Sequence, residues 1–230
     1  MYCQLICSNC LMCKIAKRGK RLVELGTPPT SNIPGELVRM DTLHMEHRKM
    51  CKDDLRYIIV LKNDCSGAVQ LHPTASITAD RIMKILQKYL NKVPFCKRAI
   101  SDNGRELANQ TVKSFFKRNS IDYVTTTPYN SESNGSVERV NRDILKATRT
   151  LSVSGQIHRA DWHRVLHDVE HRINHTPSKA RAGYTPASIL TGIKSKRIDT
   201  LSITEYSEIE RKEMLAQVIA KREQHRKARQ

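Results

Sequence analysis

Apolar positions along the chain follow two periods, and the switches between them outline the elements. From Leu37, LVRMDTLHM alternates weakly and reads as a strand. Tyr57 to Lys62 (YIIVLK) is a β-branched apolar run between polar residues, the pattern of a buried strand. After the turn NDCSG, Ala68 to His72 makes a third strand. Three strands in quick succession predict an antiparallel start. The period then becomes helical. Ile82, Ile85, Leu86 and Leu90 mark a helix over 78–93, with Thr78 or Ser76 as its cap. Lys97 to Ser101 is a short strand ending at Asp102. A helix over 110–119 carries Val112, Phe115 and Phe116, and 121–126 is a fifth strand. The loop 127–135 is rich in Pro, Asn, Ser and Gly. A helix starting at Ser136 and running to about Leu151 places Val140, Ile144, Leu145 and Ala147 on one side. Another helix is expected from Asp161 to Asn174, and 204–230 reads as a polar helix with a very basic end. The order predicts an α/β fold with a mixed five-stranded sheet flanked by helices.

Composition adds a partner class. The 230 residues carry 40 Lys and Arg against 23 Asp and Glu, a formal net charge of +17. Such a surplus points to a polyanion, either nucleic acid or an anionic membrane surface. No apolar run reaches the roughly 18 residues of a membrane span, so no segment is expected to cross a membrane, and of the two polyanions the partner expected is nucleic acid, not membrane. The cysteines number seven, with four at Cys3, Cys7, Cys10 and Cys13 and the rest at Cys51, Cys65 and Cys96. This is not a secreted disulfide framework, and a reducing, intracellular setting fits better. The domains expected are a Cys-rich stretch at 1–20, a Pro- and Gly-containing linker at 21–34, a catalytic-type core at 35–192 and a basic extension at 193–230.

Three acidic residues carry the candidate chemistry. Asp41 lies inside a strand, Asp102 ends another in SDNG, and Glu138 sits in a first helical turn just after SNG. Each alone is ordinary, since Asp is common before Asn-Gly and a first-turn Glu favours the helix dipole. Together, strand ends and a helix start can converge on one side of a sheet. Clustered carboxylates need cations, and Mg²⁺ or Mn²⁺ suits oxygen ligands. Two such ions can activate a water or a 3′-hydroxyl against a phosphodiester. The basic surface and the carboxylates therefore agree on phosphodiester chemistry.

Residues 103 to 137, 35 in all, separate Asp102 from Glu138. The segments SDNGREL, TPYNSESNGSVERVN and DWHRVLHDVEHRINHTP…GYTPASILTG follow in order. This resembles the D,D-35-E core of retroviral and Gypsy-type retrotransposon integrases over about residues 35 to 192. The resemblance implies a ribonuclease H-like fold, two divalent metal ions, trimming of element DNA ends and joining of their 3′-hydroxyls to target DNA. It further implies DNA as partner, self-association and a nuclear location. On its pattern Asp41, Asp102 and Glu138 are the metal-binding catalytic triad. Tyr129, Asn130, Asn134 and Gly135 match a loop beside the active site, and Arg139, Asn141, Arg142 and Lys146 are placed to meet DNA. Thr42-Leu43-His44 after the first Asp, and Ser131-Glu132 where the family has Pro-Gln, depart from it.

Members of that family carry a His-His-Cys-Cys zinc module upstream. Cys10 and Cys13 match its last two ligands, which makes 1–20 the remnant of such a module. No histidine precedes them, the first being His44. Zinc is thus expected only with the complete module, or on four thiolates from Cys3, Cys7, Cys10 and Cys13. The alternative to the enzyme is a decayed or domesticated copy that binds nucleic acid without cutting it. A cellular ribonuclease H or a cut-and-paste transposase is disfavoured by the 35-residue spacing and the late GYTP segment.

Overall fold

The structure, a computed structural model, describes residues 29–45, 54–104, 106–126, 135–155, 157–194 and 204–228. Five strands form one sheet in the order β3-β2-β1-β4-β5. They are β1 (Leu37–His44), β2 (Tyr57–Asn63), β3 (Val69–Thr74), β4 (Arg98–Ser101) and β5 (Asp122–Thr125). The first three pair antiparallel, and β1, β4 and β5 run parallel. The mixed five-stranded sheet flanked by helices is therefore as the pattern predicts.

Strand alternation sends successive side chains to opposite faces. On one face, Val38, Met40, Ile59 and Leu61 pack against Ile82, Leu86 and Tyr89 of α1 (Ala79–Lys92). Val112, Phe115 and Phe116 of α2 (Gln110–Arg118) complete this core. On the other face, Ile58, Val60, Val69 and Leu71 meet Val137, Val140 and Ile144 of α3 (Gly135–Val153). Leu166 and Val169 of α4 (Leu166–His175) close this second core together with Trp162. β3 is an edge strand, whose free backbone groups would otherwise invite pairing. Side chains of α4 occupy them: Glu170 accepts from the Leu71 amide at 2.7 Å, and Asn174 both accepts from the Val69 amide at 2.8 Å and donates to the Val69 carbonyl at 2.9 Å.

Local details differ from the expectations. Thr78 holds the N-cap position of α1 but makes no capping bond, whereas Asn109 caps α2 by accepting from the Val112 amide. The helix expected over 161–174 divides into a 3-10 turn at Arg159–Val165 and then α4, with Asp161 off helical geometry. The tighter winding accompanies burial of Trp162, Leu166 and Val169 in one cluster. After α5 (Pro186–Thr191), a two-stranded ladder joins β6 (Ile193–Lys194) to β7 (Thr204–Glu205). α6 (Glu208–Lys227) begins with a reciprocal Ser207–Glu210 capping box and docks through Met214 and Val218 onto Ile189. No helix among the described residues is long and apolar enough to cross a membrane.

Candidate active site

The parallel pairing of β1 and β4 sets Met40 opposite Ser101. Asp41, still within β1, and Asp102, the first residue after β4, therefore lie at one level of neighbouring strands. The carboxyl ends of parallel strands are where open α/β sheets bind ligands. The turn after β4 is pinned. The Gly104 amide donates to Asp102 Oδ1 at 3.3 Å, and the Ser101 hydroxyl donates to the Asp102 carbonyl at 2.7 Å. Tyr123 braces it from β5: its hydroxyl lies 2.6 Å from Ser101 Oγ and 2.9 Å from the Leu107 carbonyl oxygen, and the two hydroxyl protons serve two of these three contacts at a time.

α3 brings the third carboxylate. Val137, Val140 and Ile144 face the sheet, which leaves Glu138 exposed in the first turn. One turn on, Asn141 turns inward and donates its amide to Asp41 Oδ2 at 2.7 Å. The Thr42 amide donates to Asp41 Oδ1 at 2.8 Å. Burial pushes the Asp41 carboxyl above its ordinary range, and the negative charges of Asp102 and Glu138 add to that. The Thr42 and Asn141 hydrogen bonds pull the other way. The charges of Asp102 and Glu138 bear on Asp41, while among the described residues no three His, Cys, Asp or Glu side chains are gathered to hold a metal. Asn141 Oδ1 is buried without a hydrogen-bond partner among the described residues, which leaves an oxygen donor beside Asp41. This hard-oxygen set, with its mutual repulsion, fits a divalent ion.

Arg139, Arg142 and Lys146 are exposed along α3 and spaced to share a face. Gly135 opens the helix. Tyr129, Asn130, Asn134, Cys10 and Cys13 lie outside the described residues.

No family model matches the chain. It is 28% identical over 188 residues, 81% of its length, to the Pol polyprotein of Feline endogenous virus ECE1, and spans 17% of that protein. In structure, the HTLV-2 integrase catalytic core domain, in complex with magnesium, aligns with a TM-score of 0.54 at 16% identity, over 68% of this chain and 96% of that one. The catalytic core domain of BIV integrase aligns with the same TM-score at 22% identity, over 68% of this chain and 93% of that one. The fold is that of a retroviral integrase catalytic core. Within this integrase-type core, Asp41 lies inside β1, Asp102 follows the end of the neighbouring strand β4, and Glu138 stands in the first turn of the helix packed on the sheet. The inward role of Asn141 was not read from the sequence. Its position three residues after Glu138 puts both on one side of a helix, a spacing that could have suggested it. A second charged group, centred on Asp64, left no sequence signal, because it joins β1, β2, the 3-10 turn Lys179–Arg181 and α6.

Proposed function

We propose that this chain is the catalytic core of a retroelement integrase. It trims element DNA ends and joins their 3′-hydroxyls to target DNA. What supports the reading is the integrase-type sheet itself, on which Asp41 and the residue after β4, Asp102, lie at one level of neighbouring parallel strands, with the charges of Asp102 and Glu138 bearing on Asp41. In each step an oxygen nucleophile, water or a 3′-hydroxyl, attacks phosphorus. The P–O bond to the departing 3′-oxygen breaks, and the proton of the nucleophile ends on that alcohol. No covalent bond to the protein forms.

Asp41, Asp102 and Glu138 are the residues that would hold two Mg²⁺ or Mn²⁺ ions, which supply a nucleophile activated at neutral pH and charge stabilisation of both oxygens. The chain's own contribution is orientation. Thr42 and Asn141 fix both oxygens of Asp41. The Ser101–Tyr123 pair holds the turn that bears Asp102. Arg139, Arg142 and Lys146 offer cations to the phosphates of the bound strand. Self-association and action on nuclear DNA belong to the same reading.

The test uses a branched DNA duplex that mimics the joined product, so that reversal of joining is read without knowledge of the element's end sequence. With Mg²⁺ or Mn²⁺, wild type resolves the branch and Glu138→Gln does not, while the variant still binds the duplex. A purely capping Glu138 is worth only about 0.3 to 1 kcal/mol, so equal activity of the two proteins refutes the triad. If both are inactive and both bind DNA, the chain is a nucleic-acid-binding relative without catalysis.

A further inference from the structure

The α3 face of the sheet carries a second charged feature beside the carboxylates. Residues two apart on a strand share a face and lie about 6.6 Å apart. Arg39 therefore stands on the same face as Asp41, and its cross-strand neighbour is Lys62. Both are buried, at 2% and 7% exposure. Asp64, in the turn after β2, accepts from Arg39 Nε at 2.7 Å, from Arg222 Nη2 at 2.7 Å and from the Ser31 amide at 3.1 Å. Arg181 lies over Gly67, where a Cβ would collide with its guanidinium. Arg139, exposed on α3, adds its charge to the group. The charges that bear on Lys62 are those of Arg181, Asp64, Arg39 and Arg139, and those that bear on Arg181 include Arg222 and Arg139.

Four cationic side chains, Arg39, Lys62, Arg181 and Arg222, thus lie about one carboxylate, whose oxygens accept from Arg39, Arg222 and Ser31, and the charge of Arg139 bears on two of the four. The Nε of Arg181 is buried and has no hydrogen-bond partner among the described residues. A buried donor left unmade, among like charges, is costly. An anion removes both costs.

We propose that Lys62, Arg139 and Arg181 form a phosphate subsite for the nucleic-acid strand lying across the active site. The inference rests on the integrase reading and extends it to a particular phosphate. Arg139 shares the first turns of α3 with Glu138, so the cationic group and the carboxylates lie at the same end of that helix, on its two flanks. Guanidinium groups match phosphate oxygens in pairs, and the net charge of +17 favours a polyanion over an acidic metabolite. Burial, then Arg181, lowers the Lys62 amine to about 7, Asp64 opposes this, and Arg39 and Arg139 lower it further. A bound phosphate restores the ammonium form, so binding takes up a proton above neutral pH.

The experiment uses the full chain. Melting is followed with inorganic phosphate or with chloride at equal ionic strength, and affinity for a labelled DNA duplex is followed against salt. Phosphate should raise the melting temperature of wild type and of the α1 surface control Lys84→Gln, but not of Lys62→Met or Arg181→Gln. Each of the latter two should lower the salt slope by about one unit for every phosphate it no longer neutralises. If Arg181→Gln fails to fold, Lys62→Met, which replaces the buried amine with an apolar chain of similar length, decides. An undiminished phosphate effect in the variants overturns the subsite. Disappearance of the phosphate effect with an unchanged DNA slope means free phosphate is the ligand and overturns the assignment to the strand. Failure of the catalytic reading is distinct: wild type and Glu138→Gln are then equally inactive on the branched duplex, while the Lys62→Met slope change persists.

Discussion

Removal of the Asp64 carboxylate should be among the most damaging single changes in the fold. Its side chain is 6% exposed and accepts 2.7 Å bonds from Arg39 and Arg222. The Arg39 side chain is 3% exposed, so Asp64→Ala leaves a guanidinium inside the protein with its main counter-charge gone. Hydrogen bonds to charged groups contribute about 1.5 to 3 kcal/mol each, and stripping one partner from a buried pair costs about 3 to 5 kcal/mol. Arg39 keeps a 2.6 Å bond to the Pro29 carbonyl, and the Arg222 side chain is 22% exposed and can rehydrate. We therefore expect a loss near the middle of that range, about 4 kcal/mol. At about 2 to 4 °C per kcal/mol for a chain of this size, the melting temperature should fall by about 10 °C. Urea unfolding of both proteins, with equal slopes, gives the value. The pH dependence has a definite sign. Burial raises the Asp64 carboxyl, but Arg39 and Arg222 outweigh it and hold it below its ordinary value. Its contribution is thus complete above the unfolded value of about 3.9 and is lost as pH falls through the lower folded one. The gap between wild type and Asp64→Ala should close below about pH 4. Adding Arg39→Met should recover much of the loss, since the orphaned charge goes with it. A loss under about 1 kcal/mol at neutral pH would refute the reasoning.

Two further changes probe the cores. Ile144 is fully buried between α3 and the sheet, so Ile144→Ala should cost about 2 to 5 kcal/mol in urea unfolding. Glu170→Leu removes the acceptor from the Leu71 amide on the free edge of β3. It should cost about 1 to 3 kcal/mol and, by baring the edge, increase self-association in sedimentation runs.

What the sequence revealed, and what it hid, follows from the range over which each interaction acts. The five strands and the helices α1, α2 and α3 were legible because each is encoded by its own periodicity. YIIVLK needs no partner to read as a buried strand, and Val140 and Ile144 mark the buried side of their helix without knowledge of the sheet. The turn after β4 that carries Asp102 and the helix start that carries Glu138 were legible through local turn chemistry and spacing. The 3-10 turn before α4 was hidden, because helical spacing alone does not distinguish the two windings around Trp162. The β6–β7 ladder was hidden too, since two residues on each side carry no period. Asp64 reads as part of a polar turn, NDCSG, until Arg222, 158 residues away, arrives beside it.

β1 is where the fold and the chemistry are tied together. Its even positions, Val38 and Met40, are at 1% and 0% exposure against α1 and α2. That burial dictates the direction of the odd ones. Slipping the strand by one residue would drive Arg39 and Asp41 into the apolar layer and bring Val38 and Met40 to the polar side, so the register is strongly held. The same register puts Arg39 opposite Lys62 and Asp41 opposite Val60. α3 obeys a parallel constraint. With Val137, Val140 and Ile144 committed to the sheet, Glu138 and Asn141 fall on the flank nearer Asp41, and Arg139 on the flank facing Lys62. An acidic end and a cationic neighbour two residues away are thus the two polar consequences of one apolar pattern. Changes that disturb the packing of Met40 or Ile144 should for that reason move the carboxylates and the cationic group together, whereas Glu138→Gln or Lys62→Met should alter one and leave the other in place.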